Sequence, residues 1–576
     1  VEAAITAHID RLPSRERMVL RRAAVLGSTF TGDLLGAVIE DAPRPEDSMW
    51  EGLAQFIDRD ASGTFRFRHD LIRDAAYDGL PFRLRRDLHA RVAETIERAA
   101  YPNLHDEAEL LALHYFEAGR YDAAWLNARL AAKRAETIYA NVDAAAFYER
   151  ALAAARHVPE ISRELRSELH EALGDVRERL GEYAKAEAAY RAARRMVGGE
   201  PVAEARLLLK QGWIPDRSGR FTEALRWFTR GLRRLEGVGG DDAAKQRAQL
   251  RVWYAAVRQA QGRHADAIRW CRSAIEEATA AGEREALAHA YYLLDWALVD
   301  LGRREEATHS EASLGIYDEL GDLGGQATVL NNMAGLAYWE GRWDESLERY
   351  GLAREAWTKT GDQVNAAVAT AGTAEILLEQ GRLDEAERTS REALRVWQAA
   401  GHRWGMAYAT LLLGRIADRA GDPGQARPLL EQARVWFSQV GAADLVLETD
   451  ARRAEGFVLE GKGADALDLV SELLKGARSG GSATHGPLLH RVRGYALMQV
   501  GDLHGAGEAL ELSLRLARAG DAGHEAGATL QASAELCRLR GLPPPPELER
   551  ESRELLTRLG VVAVPTVPLP APAVVR

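Results

Sequence analysis

Residues 327–362 read ATVLNNMAGLAYWEGRWDESLERYGLAREAWTKTGD. Two stretches with apolar residues at helical spacing flank Gly341. Gly341 is expected to break the first helix in the left-handed conformation that costs glycine least. Asp344 then falls in the first turn of the second helix, where a carboxylate suits the positive end of the dipole. Gly361 ends that helix and Asp362 begins the next unit. Antiparallel helices joined by so short a connection approach closely only where the crossing residues are small, and Ala334 and Ser346 are assigned to the crossing.

The layout recurs about every forty residues. The glycine stands at Gly302, Gly341, Gly381, Gly421, Gly461, Gly501 and Gly541, with Gly181, Gly219 and Gly262 upstream. Five residues on from Gly181 to Gly501 comes a small residue: Ala186, Ala224, Ala267, Ala307, Ser346, Ala386, Ala426, Ala466 and Ala506. Seven residues before comes another, from Gly174 to Gly494, with Asp295 as the exception. Such a period means a stack of like units that offers a long holding surface, not one globular core. The expected fold is all-α, a superhelical solenoid.

The pattern resembles the tetratricopeptide repeat. The matching positions are the small residue, the glycine, the alanine five on, and an aromatic or apolar residue four later (Tyr190, Phe228, Tyr350, Leu430, Leu510). The family's usual period is about 34 residues, so a step of forty implies longer helices. Propeller blades share the period but alternate at strand spacing, and HEAT units lack the glycine–alanine pair. The array is assigned to residues 161–541, preceded by degenerate starting helices at 105–160. Four prolines from Pro543 stop the last unit. Residues 542–576 are read as a terminal helix and a Pro-rich tail, VVAVPTVPLPAPAVVR, expected to be disordered.

The family resemblance implies that the first helix of each unit lines a concave groove. Successive stripes on those helices supply His289, Tyr292, Trp296, Asn331, Tyr338, Glu375, Tyr408 and Arg415 as candidate groove residues. Aromatics with scattered polar groups suit a protein or peptide ligand; the same aromatics would otherwise pack between neighbouring helices.

Residues 1–104 lack the period. Three short helices are expected, with breaks at Pro13 and Gly27, then helix, strand, Ser-Gly turn, strand and helix. Phe65 and Phe67 alternate with Arg66 and Arg68, as in a half-buried strand. Helices followed by a hairpin suggest a small winged-helix domain. FRFRHDLIRDAAYDGLPFRLRRDLHARVAETIE (65–97), preceded by IDRLPSRERMVLRRAAVLGSTF (9–30), resembles the segment after the ATPase core of bacterial STAND-class signalling ATPases. It is most similar to those that carry class III adenylate or guanylate cyclase domains. The resemblance covers roughly residues 3–155. It implies a missing core that binds ATP or ADP with Mg, an upstream cyclase output, and control of both by a sensor array. FRFRHDLIRDAA (65–76) is also similar to the Met-His-Asp motif of NOD-like ATPases, with Arg68 in place of Met. The motif implies that His69 contacts the β-phosphate of ADP in the full-length protein; otherwise His69 and Asp70 simply cap the following helix. A MalT-like transcription activator and a stand-alone repeat scaffold are the alternatives.

The sequence contains no G-x-x-x-x-G-K-[ST] loop, no H-E-x-x-H and no G-x-S-x-G elbow, and this chain is read as non-catalytic, with no cofactor or metal of its own. No run of about 18 apolar residues marks a membrane span. Cys271 and Cys537 lie far apart and fit a reducing cytoplasm. Arginine outnumbers lysine 68 to 7, and the net charge is −11. That balance argues against a general nucleic-acid binder. Arg83, Arg85 and Arg86 form a local basic patch, but Asp78, Asp87, Glu94 and Glu97 interleave with them, so DNA is not an expected partner. The expected partners are a protein or peptide in the groove and the ATPase core within the same polypeptide, with ligand-induced oligomerisation as a further outcome. The chain begins at Val1 without a signal pattern and is read as a piece of a longer protein.

Overall fold

The computed structural model describes residues 2–39, 47–60, 63–101, 103–477 and 485–571. It divides into two compact units, residues 1–177 with 192–197, and residues 178–191 with 198–576.

In the first unit, helices Glu2–Asp10, Ser14–Ala23 and Gly32–Val38 break at Pro13 and Gly27. Strands β1 (Thr29–Thr31), β2 (Ile57–Arg59) and β3 (Thr64–Phe67) form an antiparallel sheet in the order β1-β3-β2. Phe30 lies opposite Phe65 and stacks on it at 5.4 Å, and Trp50 packs against Phe65 at 4.5 Å. Phe65 and Phe67 are buried and Arg66 is exposed, so the alternation in the sequence sets the two faces. Helices Asp70–Asp78 and Phe82–Ala100 follow, then Ala108–Glu117, Tyr121–Thr137 and Asn141–Ala155. Five alanines of Tyr121–Thr137 are buried, from Ala124 to Ala135, which lets its neighbours approach closely.

Among the described residues the second unit holds nine helix pairs, from Pro201–Arg217 with Phe221–Arg234 to Gly523–Leu539 with Pro546–Arg558. These are tetratricopeptide-type units. In the unit of residues 327–362, Leu323–Trp339 and Trp343–Lys359 are joined at Gly341, whose φ is 71°. The Asp362 carboxylate accepts from the Asn365 amide at 3.0 Å and caps the next helix. At the crossing, Ser346 Oγ donates to the Ala334 carbonyl at 2.7 Å, and both residues are fully buried. Elsewhere a larger side chain lies over the small one. A methyl group on Gly212, Gly414 or Gly494 would overlap Phe228, Leu430 or Leu510.

Asp295, the sequence exception, reshapes its unit. Its buried carboxylate accepts from the amide and ring Nδ1 of His309 and from the amide and hydroxyl of Ser310, all at 2.7–2.8 Å. The second helix therefore begins late, as Ser310–Leu320, after a single turn at Arg304–Glu306.

First helices of neighbouring units pack on one another and second helices pack on first helices, so the first helices form the inner wall. The superhelix also packs on itself one turn later. A methyl on Gly181 would meet Ala400 and Val364, one on Gly219 would meet Val440 and the Trp404 amide, and one on Gly341 would meet Leu559. His264 Nε2 bonds Asp444 at 2.5 Å, and Arg304 donates to the Gly520 carbonyl at 3.0 Å. Gly181, Gly219 and Gly341 thus serve twice, as left-handed turns and as seats for the following turn.

The Pro-rich tail departs from its expected disorder. Residues 561–571 have no regular secondary structure, yet they lie against the array. The Val562 amide donates to the Gln380 carbonyl at 2.8 Å, and Gln499 Nε2 donates to the Pro568 carbonyl at 2.9 Å. Val567 and Leu569 pack on the apolar cluster around Val458 and Leu497. Proline excludes a helix but not an extended path over a ledge of helix ends. Residues 572–576 lie outside the described residues.

Candidate functional site

The inner wall has an aromatic end and an ionic end. Trp213, Trp253, His289 and Tyr292 form a ladder with centroid spacings of 5.3, 4.8 and 5.1 Å. His289 and Tyr292 are stacked and held between adjacent first helices. Burial pushes the His289 imidazole down to about 3, so it is neutral at ordinary pH. Trp296 is half-buried and lies over Gly335, where it would overlap an added methyl. Asn332, not the candidate Asn331, donates to the Tyr292 carbonyl at 2.9 Å. Asn331 Oδ1 is buried without a hydrogen-bond partner among the described residues. Tyr338 stacks on Trp343 at 5.9 Å.

Glu375, Tyr408 and Arg415 come together. The Tyr408 hydroxyl donates to Glu375 at 2.5 Å and Arg415 donates to it at 2.8 Å. They open a buried ionic chain that sequence reading largely missed. Glu379 takes Arg415, Arg419 and Arg452. Arg452 reaches Glu455 at 3.0 Å, and Arg491 bridges Glu455 at 3.0 Å and Glu525 at 2.7 Å. Burial raises the Glu379 carboxyl, but the guanidiniums of Arg419 and Arg415 hold it well below the usual carboxylate range. Several partners, such as Glu375 with Arg415, Glu379 with Arg419 and Glu455 with Arg491, sit about one period apart in the sequence, which is the signal that could have found the chain: charges on the apolar faces of consecutive first helices.

The tail roofs this end. Val561, Ala563, Val564, Pro565 and Val567 face Glu379, Arg419, Glu455, Arg491 and His524 across a residual cavity of ≈ 30 Å³, room for roughly one water. A methyl on Gly381 would come 2.5 Å from the Ala563 carbonyl oxygen, so the tail needs that glycine to lie flat.

In the first unit, His69 is exposed at the N-terminus of Asp70–Asp78, and its side chain caps nothing. The neighbouring Asp70 carboxylate accepts from the Ser28 hydroxyl at 2.5 Å. Arg85 is tied to the carbonyls of Leu80 and Asp78, and Arg86 to that of Ala118. Two of the three basic-patch residues are thus spent on the fold. No group of three or more side chains that could hold a metal occurs among the described residues, and no helix there is long and apolar enough to cross a membrane.

The tetratricopeptide repeat family matches residues 325–399 and 368–434. No curated protein matches the sequence. Among solved structures, the chain is similar to the STAND signal-transduction ATPase with a tetratricopeptide repeat sensor from Pyrococcus horikoshii. Identity is 13%, coverage is 77% of this chain and 66% of that one, and the TM-score is 0.36. The chain thus spans just under two thirds of that protein's length. It is similar to a Rap protein complexed with competence and sporulation factor, at 13% identity over 67% of this chain and 97% of that one, with a TM-score of 0.43. It is also similar to aspartyl phosphate phosphatase F from Bacillus subtilis, at 13% identity over 67% and 95%, with a TM-score of 0.41.

Proposed function

We propose that this chain is the non-catalytic sensor and interaction region of a larger STAND-class signalling ATPase, and that its array takes an extended peptide over the ledge at the ionic end. The observation that carries the reading is the seat of residues 561–571. An extended, apolar, proline-bearing segment already runs there, from the turn at Gly381 to that at Gly461, tied by the Val562 amide and by Gln499. A partner segment of like chemistry would displace the tail, and the exchange would shift the balance between resting and active arrangements of the full protein.

In the same reading residues 1–104 are the winged-helix domain that follows the ATPase core, residues 105–160 lead into the array, and residues 161–541 are the array itself. His69 contacts an ADP phosphate held by that core with its Mg ion. A single exposed imidazole beside a helix N-terminus fits one such contact and does not hold a nucleotide alone. The upstream output is a nucleotide cyclase. His69→Ala in the full-length protein should lower ADP retention; unchanged retention removes this role.

The ledge is tested with a labelled peptide of residues 561–576. A chain ending at Gly560 should bind it saturably, and the intact chain should bind it at least about tenfold more weakly, as expected of a tethered competitor. Gly381→Ala in the shortened chain should weaken binding. A shortened chain that keeps its helical signal and does not bind, or an intact chain that binds equally well, overturns the reading.

A further inference from the structure

A second cleft of the array lies elsewhere, between helix Phe221–Arg234, the turn at Gln261 and Arg263, and the turn at Gly441 and Ala443 one superhelical turn on. Its volume is ≈ 840 Å³, and five arginines line it: Arg226, Arg230, Arg233, Arg258 and Arg263. None of the described residues lining it is acidic. The nearby carboxylates are committed to other groups. Asp444 holds His264 at 2.5 Å, Glu223 holds Arg220 at 2.9 Å, and Asp266 holds Arg269 at 2.5 Å, with Arg263 only at 3.8 Å.

Arg226 and Arg233 make no ion pair among the described residues, and Arg230 only lies over the Trp227 ring at 5.9 Å. Arg258 is positioned: it donates to the Tyr254 hydroxyl at 2.9 Å and to Gln261 Oε1 at 3.0 Å. The chain as a whole carries a net charge of −11, so a cleft of five guanidiniums without a carboxylate runs against the composition. Gathering like charges is unfavourable unless solvent or an anion offsets it. Three of the five repeat along one helix face at i, i+4 and i+7, while Arg258 and Arg263 come from the next unit. The cleft therefore exists only once the repeats stack and the following turn closes its far side.

We propose that this cleft binds a small molecule carrying two or more phosphates. Guanidinium forks match phosphate oxygens in bidentate geometry, and a cleft of this size suits a ligand of nucleotide dimensions. Thr222 and Gln261 supply neutral donors at its edges. A flat acidic peptide is disfavoured because Arg258 and Arg263 of the next unit and the Gly441 turn bound the concavity beside the three arginines of helix Phe221–Arg234. The site shares no residue with the ledge beneath the tail.

The test is calorimetric titration of the intact chain with inorganic tripolyphosphate at about 150 mM salt, where surface attraction is screened beyond roughly 8 Å. One saturable site is expected. Arg226→Glu with Arg258→Glu should weaken it at least about tenfold, while helical signal and melting temperature stay within a few degrees. The double variant Arg388→Glu and Arg395→Glu, on another helix, should leave it intact. Absence of saturable binding, equal loss in both double variants, or equal affinity for an oligoglutamate of matched charge overturns the proposal.

Discussion

Asp295 and Ser310 are joined twice: Oδ2 of the carboxylate accepts from the Ser310 amide at 2.7 Å and from its hydroxyl at 2.8 Å. His309 adds two more donors to the same carboxylate. Asp295→Ala should strand these buried groups and destabilise the array by about 2–4 kcal/mol in urea unfolding. Asp295→Asn keeps acceptor capacity and should lose about half as much. A loss below about 0.5 kcal/mol for the alanine variant would mean that the helix starts at Ser310 unaided.

Gly219 and Gly421 separate two roles of the same repeated position. Both are left-handed, with φ of 71° and 79°. A methyl on Gly219 would come 2.7 Å from Val440 Cγ1, whereas one on Gly421 meets nothing within 4 Å. Gly421→Ala should cost about 1 kcal/mol of backbone strain alone. Gly219→Ala should cost roughly 1–3 kcal/mol more, by forcing apart two superhelical turns. Equal costs in thermal unfolding would remove the second role.

Glu379 is the hub of the ionic chain. Glu379→Gln leaves Arg415 and Arg419 without their shared carboxylate in a buried setting, and should destabilise the array by about 3–5 kcal/mol. Replacing Glu379 and Arg415 together by Met should not recover that loss, because Glu375 then loses its guanidinium and Arg419 its carboxylate in the same buried setting.

In the first unit the Tyr77 hydroxyl, His89 and His114 form a buried relay at 3.0 and 2.9 Å. Burial pushes His89 down to about 4 and His114 to about 3 from an ordinary 6.5. Below pH 6.5 the unfolded chain binds more protons than the folded one, so stability falls as pH drops towards 4. The expected slope is about 1 kcal/mol per pH unit for each ring. Melting at pH 7 and pH 5 checks this, and His114→Gln should flatten the difference.

Asp418 behaves oppositely. Burial first, then Glu455 and Glu460, push its carboxyl up from 3.8 to about 7. Between pH 4 and 7 the folded chain holds the extra proton, so stability declines as pH rises through that window. Asp418→Asn should stabilise the array by about 1–2 kcal/mol at pH 8 and by almost nothing at pH 4.

The units themselves were legible because each rests on local chemistry: a left-handed turn at Gly341, a cap at Asp362, a tiny contact at Ala334. Tyr408 and Arg415 were found because they share a stripe at helical spacing, and Glu375 because it stands on the corresponding stripe of the preceding first helix. Glu379, Arg452 and Arg491 were not, since their pairing depends on which first helices become neighbours. The contact of Gly219 with Val440 was out of reach, because it depends on pitch, a property of many crossings summed. The tail misled for a related reason: composition excludes helix in residues 561–571 but says nothing of a ledge waiting elsewhere.

Contacts such as Gly181 with Ala400 and Arg304 with Gly520 limit how this molecule can change length. An open string of repeats gains or loses a link freely. Here successive coils rest on one another, and excising a single link would slide residues such as Gly219 and Gly341 off their seats. Recombination that preserves such a spring must remove or insert close to a whole coil, so its size is expected to vary in steps of several repeats rather than one.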